Sequence, residues 1–246
     1  MRPRLVTPFL AGLVACSSTA PAVERMPSPS VAQPLAAGVT ATALAAPPPT
    51  PMASEEPPAP APELPKGLVV LVVGDSFAEA IGFGLNARQQ EFGLRVVMRG
   101  KQSTYIPQWA GMEFGLDRLV AQTSPDVVIV ALGGNELAMP NPEVSRSSVA
   151  KVVKLIGDRP CVWATPLLRG PNDSRVLEAI RTESRPCRFF DSAKHAPDVP
   201  RGGDRIHPTI EGQRLWAGAI VEWLRKEHVV GPEAAPFALR ARPADE

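Results

Sequence analysis

Three short stretches carry residue types whose spacing could do chemistry. Gly74-Asp75-Ser76 follows directly on the apolar run Leu68–Val73, so Ser76 falls where a strand gives way to a helix. Its oxygen would there meet the free amides and the positive dipole end of that helix. Gly133-Gly134-Asn135-Glu136 follows a second apolar run, Asp126–Leu132. The glycines allow close backbone approach, and the Asn135 side-chain amide could donate to a developing oxyanion. Asp204-Arg205-Ile206-His207-Pro208 puts a carboxylate three residues before one of the chain's three histidines. In a turn that is close enough to accept the Nδ1 proton and leave Nε2 facing a hydroxyl. Taken singly, each stretch has an ordinary structural explanation: Asp and Ser cap helices, Asn sits in glycine-rich turns, and Asp-His pairs occur on surfaces. Taken together they supply a nucleophile, a base with its orienting acid, and an oxyanion donor. His195 and His228 lack such a carboxylate, which predicts solvated side chains for both.

These residues can meet only if the intervening chain builds a sheet that brings strand ends together. Leu68–Val73, Leu94–Met98, Asp126–Leu132, Cys161–Ala164 and Cys187–Phe190 read as five strands, the first and third buried on both faces. Helical spacing covers Phe77–Gln90, Gln108–Gln122, Ser174–Thr182 and Pro208–Lys226. A further helix ends at Ile156, with Asn141-Pro142-Glu143 as its cap, first-turn proline and first-turn acid. Alternation of strand and helix predicts a parallel α/β sheet with right-handed crossovers and helices on both faces. Ligands of such sheets bind beyond the carboxyl ends of the strands, which is where Ser76 and Asn135 fall.

In this chain order the three stretches resemble the signature blocks of the SGNH (GDSL-type) hydrolase family: Gly-Asp-Ser, a Gly-x-Asn element and an Asp-x-x-His element. The resemblance spans about 160 residues, Leu68 to near Lys226. It implies a flavodoxin-like three-layer sandwich with a five-stranded parallel sheet. It further implies Ser76 as nucleophile, His207 as base and Asp204 as its orienter, with Ser76 N–H and Asn135 in the oxyanion hole. Two departures stand out. Glu136 replaces the family's last Asp in the third block. The loop after the second strand, Arg99-Gly100-Lys101-Gln102-Ser103-Thr104, puts Ser103 rather than Gly100 at the distance expected of the family's second-block glycine, leaving either residue as the remaining amide donor.

The ends of the chain differ from its middle. Of 29 prolines, 15 lie in residues 1–66, a stretch too poor in large apolar side chains to offset the entropy of ordering it. Residues 1–15, with Arg2, Arg4 and the apolar run Leu5–Val14, read as a signal peptide too short to span a bilayer. Leu13-Val14-Ala15-Cys16 resembles the lipobox of bacterial lipoproteins, which implies lipidation of Cys16 and anchorage in the cell envelope; Ser17 favours an outer-membrane site facing the periplasm. Residues 16–66 are then a disordered Pro/Ala-rich tether, averaging about 40 Å end to end if flexible and approaching about 150 Å if extended. Residues 67–228 form the domain, and 229–246 read as a disordered tail. With Cys16 acylated, Cys161 and Cys187 remain, each after an Arg-Pro dipeptide and each opening a strand. If those strands are parallel neighbours in register, a disulfide can form, as an oxidising compartment permits.

Charge and motifs narrow the chemistry. Lys and Arg total 26 against 25 Asp and Glu, with no basic stripe for a phosphate backbone, which argues against nucleic-acid partners. Gly82-Phe83-Gly84-Leu85-Asn86-Ala87 matches a dinucleotide-binding string but falls inside a helix rather than at a strand-to-helix turn. No ligand spacing suggests a metal, and no cofactor is expected. The expected activity is extracytoplasmic hydrolysis of acyl esters, O-acetyl foremost, on a cell-wall or exported polysaccharide. O-acyl transfer by the same serine, or non-catalytic glycan binding, are the alternatives. Tyr105 and Trp109 could stack on a sugar or belong to the core.

Overall fold

The computed structural model describes residues 63–167, 174–228 and 237–240. The expectations for the signal segment 1–15, for Cys16, for nearly all of the tether and for 229–236 and 241–246 lie outside these residues.

The described chain runs β1 (Leu68–Gly74), α1 (Ser76–Ala87), α2 (Gln89–Phe92), β2 (Leu94–Gly100), α3 (Ile106–Ala110), α4 (Leu116–Thr123), β3 (Val127–Ala131), α5 (Arg146–Ile156), β4 (Cys161–Ala164), α6 (Ser174–Glu183), β5 (Arg188–Phe190), α7 (Ser192–His195) and α8 (Ile210–Glu227). Five parallel strands pair in the order β2-β1-β3-β4-β5. The order reverses between β1 and β3, and that switch point opens the crevice beyond the strand ends.

Strand alternation sorts the core into two layers. Leu68, Val70 and Val72 join Val127 and Ile129 against α1 and α8, where Ile81, Leu85, Trp216 and Ile220 are buried. Leu71 and Val73 face the opposite way with Val128 and Val130, toward α3, α4, α5 and α6. The domain is thus a three-layer α/β sandwich. Gly82 and Gly84, part of the dinucleotide-like string, have packing reasons. A side chain at Gly82 would come within 2.4 Å of Met98 Sδ, and one at Gly84 within 2.1 Å of the Gln213 carbonyl.

Several details depart from expectation. One helix over Gln108–Gln122 is broken into α3 and α4, because the intervening chain reverses through Gly115 at φ 55°. Trp109 and Phe114 stack across the break with centroids 4.5 Å apart, and Trp109 is buried, so it belongs to the core and not to a sugar platform. Asn141 makes no side-chain cap; a 3-10 turn at Pro142–Ser145 leads into α5. The last helix starts two residues late, at Ile210, because Thr209 caps it by accepting from Gly212 N–H at 3.1 Å.

The domain boundaries also shift. Leu64, assigned to the tether, is buried in the α1/α8 layer. Phe237 and Leu239, within the stretch expected to be disordered, are buried there too, and Leu239 N–H donates to His228 Nδ1 at 3.1 Å. His228 is therefore a half-buried acceptor for the returning chain, not a solvated side chain. His195 likewise packs on Phe190, centroids 5.3 Å apart. Cys161 opens β4 and Cys187 stands just before the adjacent β5, which starts one residue later than expected; their Cα atoms are 4.6 Å apart and the two are joined by a disulfide.

Candidate active site

The site is built where β1 and β3 end side by side. Gly74 closes β1 at φ 142°, and a side chain there would fall 1.9 Å from the Ala131 carbonyl oxygen, so only glycine lets the two strand ends approach this closely. Asp75 N–H donates to that carbonyl at 3.1 Å. The Asp75 side chain then caps α1, Oδ1 accepting from Phe77 N–H at 2.8 Å. Ser76 is the first helical residue, and its own N–H is one of the amides a helix cannot satisfy internally.

A turn before α8 supplies the partners. Gly202 N–H donates to the His207 carbonyl at 2.8 Å, and Arg205 at φ 59° lets the chain double back. Asp204 Oδ1 accepts from the N–H groups of Ile206 and His207 at 2.9 and 3.0 Å. Its Oδ2 lies 2.6 Å from His207 Nδ1, and His207 Nε2 lies 2.8 Å from Ser76 Oγ. With the Nδ1 proton held by the carboxylate, Nε2 is left to accept the serine proton. The Phe77 ring sits beside the imidazole, centroids 5.6 Å apart, and is backed edge-on by Trp216 at 5.7 Å. The hydrogen bond from His207, followed by those from the two amides, holds the Asp204 carboxyl down to about 2.

The opposite wall is a loop fastened by Thr104. Its hydroxyl donates to the Lys101 carbonyl at 2.7 Å and accepts from Trp109 Nε1 at 2.9 Å, while its carbonyl accepts from Asn135 Nδ2 at 2.8 Å. An amide nitrogen carries two protons, so one remains to Asn135 for a ligand. Ser103 stands in this loop at φ 58°, a conformation costing a non-glycine residue about 1–2 kcal/mol. Gly100 instead ends β2, paired with Gly74, and a side chain there would meet Glu79 Cγ at 2.3 Å. Its glycine has a packing cause, while Ser103 stands in the loop itself.

Glu136 has a role that spacing alone does not disclose. Fully buried, its Oε1 accepts from Ile106 N–H, the start of α3, at 2.7 Å. The longer side chain thus ties the end of β3 to the helix that follows the Ser103 loop. Burial pushes its carboxyl up. Burial pushes Asp75 up to about 7, opposed by the Phe77 N–H and aided by the charge of Glu136. Thr104 and Glu136 went unrecognised as parts of the site because their partners are distant in sequence. Only the departure from Asp at position 136 marked the place. Among the described residues, no group of three or more His, Cys, Asp or Glu could hold a metal ion.

Neither a protein-family model nor a curated protein matches the sequence. Solved structures do. TesA is 21% identical with a TM-score of 0.50, the match covering 63% of this chain and 97% of that one. The psychrotrophic esterase EstA from Pseudoalteromonas sp. is 17% identical over 64% of this chain and 97% of its own, TM-score 0.48. The periplasmic domain of a lipopolysaccharide acetyltransferase from Salmonella ser. Paratyphi A is 12% identical over 64% and 84%, TM-score 0.49. The parallel β2-β1-β3-β4-β5 sheet, with the Ser, Asn and Asp-x-x-His blocks at its carboxyl edge, is the SGNH (GDSL-type) hydrolase fold.

Proposed function

We propose that this protein is an extracytoplasmic serine esterase that removes short acyl groups, O-acetyl foremost, from a cell-wall or exported polysaccharide. The observation that carries the reading is the unbroken Asp204–His207–Ser76 hydrogen-bond chain, 2.6 and 2.8 Å long, at the sheet's carboxyl edge. Ser76 Oγ bonds to the ester carbon as His207 Nε2 takes its proton. The oxyanion is held by the N–H groups of Ser76 and Ser103 and by Asn135 Nδ2. The carbon–oxygen bond to the alcohol breaks as the imidazolium returns the proton to the leaving oxygen. Water then attacks the acyl-serine, giving its proton to His207, and the acid departs as Ser76 regains its own.

The Asp204 and His207 side chains remain 47% and 45% exposed, which gives water the access to the acyl-enzyme that hydrolysis needs; a sugar hydroxyl taking the same path would make the reaction O-acyl transfer. The lipobox-like sequence supports a lipid anchor on Cys16, at the outer membrane facing the periplasm, and the Cys161–Cys187 disulfide supports an oxidising compartment. The tether would let an anchored domain work along an insoluble polymer. The test is hydrolysis of a short-chain aryl ester: Ser76→Ala abolishes it with an unchanged circular dichroism spectrum, and equal rates in mutant and wild type overturn the assignment.

A further inference from the structure

A cleft of about 190 Å³ opens directly beside Ser76, between α1 and the first turn of α8. Helical spacing puts Ser76, Glu79 and Phe83 on one face of α1, and they line it together with Gln102, His207 and Gln213. Of the oxyanion donors Ser76 lines it, while Asn135 and Ser103 do not. That asymmetry decides what the cleft holds. In ester cleavage the carbonyl oxygen must turn toward the oxyanion donors, while the leaving oxygen must lie within reach of His207 Nε2 to receive its proton. The space lined by Ser76 and His207 but not by Asn135 is therefore the side open to the alcohol.

Its walls suit one kind of alcohol. Phe83 is 53% exposed although it is a large apolar residue, and it presents a ring at the mouth of the cleft. Gln213 supplies an amide that both donates and accepts. Glu79 Oε2 accepts from Gln102 Nε2 at 2.8 Å, which fixes the carboxylate without neutralising it; among the described residues no Lys or Arg forms an ion pair with Glu79. A carboxylate one helical turn from the nucleophile accepts from hydroxyls and repels anions.

Resting on the esterase reading, we propose that this cleft is the leaving-alcohol subsite. It takes one uncharged hydroxylated ring, stacked on Phe83, and Glu79 excludes alcohols that carry a carboxylate. The ester bond that breaks joins the acyl carbon to an oxygen of that ring, and His207 returns the serine proton to it.

The test compares kcat/KM of the full chain for vinyl acetate, an O-acetylated neutral methyl glycoside and the corresponding O-acetylated glycuronate, alongside calorimetric binding of the two deacetylated glycosides to Ser76→Ala. The neutral glycoside ester should be preferred over the glycuronate by about tenfold or more, and Glu79→Gln should bring that ratio to within about twofold. Phe83→Ala should lower the neutral glycoside relative to vinyl acetate by about tenfold. Calorimetry should show the neutral glycoside binding more tightly, with Phe83→Ala weakening it. Ser76-dependent cleavage of vinyl acetate with the same neutral-to-anionic ratio in wild type and Glu79→Gln overturns the subsite while leaving the esterase standing. Selective, Phe83-dependent binding of the neutral glycoside without cleavage of any ester overturns the esterase and with it the leaving-alcohol role, and leaves a glycoside-binding cleft.

Discussion

Two aspartates flank the candidate nucleophile, and the protein treats them in opposite ways. Asp75 is sealed beneath the end of β1, and burial drives its carboxyl up to about 7. Asp204 sits on a solvated turn, receives hydrogen bonds from His207 and two backbone amides, and is held at about 2. The acid adjacent to Ser76 in sequence is thus the one unsuited to carry charge. Its role is to cap α1 and close the strand end. The acid far away in sequence is a carboxylate throughout the neutral range and can stabilise an imidazolium. Environment, not proximity to the serine, assigns the roles.

The largest test of this contrast is Asp204→Asn, which keeps an acceptor for the turn amides but removes the charge and reverses the preferred tautomer. Turnover should fall by about three to four orders of magnitude while Tm changes by less than about 2 °C. A loss under tenfold would break the assignment of Asp204. Asn135→Ala, removing an oxyanion donor that neither acid can replace, should lower kcat by about two to three orders of magnitude with little change in KM. An unchanged kcat would leave Asn135 as no more than a brace for the Thr104 loop.

The smallest effect concerns Asp75 and is read in stability. Its pKa is raised on folding, so between about 4 and about 7 the folded state holds a proton that the unfolded chain has released, and stability drains away as pH rises through that window. Asp75→Asn retains a capping oxygen and cannot ionise. Its Tm should match wild type near pH 4 and exceed it by about 3 °C or more at pH 8. For Asp204 the sign is opposite: its pKa is lowered, so its contribution is present above about 4 and is lost as pH falls toward 2. Parallel Tm profiles for wild type and Asp75→Asn from pH 4 to 8 would erase the contrast.

Much of this was legible in the sequence, for identifiable reasons. The strands Leu68–Val73 and Asp126–Leu132 are continuous apolar runs because helices cover both faces, and each ends at glycines that mark the carboxyl edge. Ser76 and Asn135 could be placed from those ends alone, and His207 from Asp204 three residues before it. The break between α3 and α4 was not legible, because Gln108–Gln122 keeps helical apolar spacing and the chain leaves the helix only through the extended Gly111 and the left-handed Gly115. Phe237 and Leu239 were hidden in an Ala/Pro-bearing stretch, since two apolar residues can dock onto a formed core without any local pattern. The clamp from Glu136 to Ile106 and the rise in the Asp75 pKa are consequences of tertiary burial, which no spacing encodes.

The central claim, that the Asp204–His207 pair activates Ser76 for attack on an acyl carbon, is tested most directly by labelling with a fluorophosphonate and measuring the intact mass. The account predicts one adduct, mapped to Ser76, forming rapidly in wild type, at least about a hundredfold more slowly in Asp204→Asn, and not at all in Ser76→Ala. No adduct on the folded wild-type chain, or one that persists in Ser76→Ala, would contradict it.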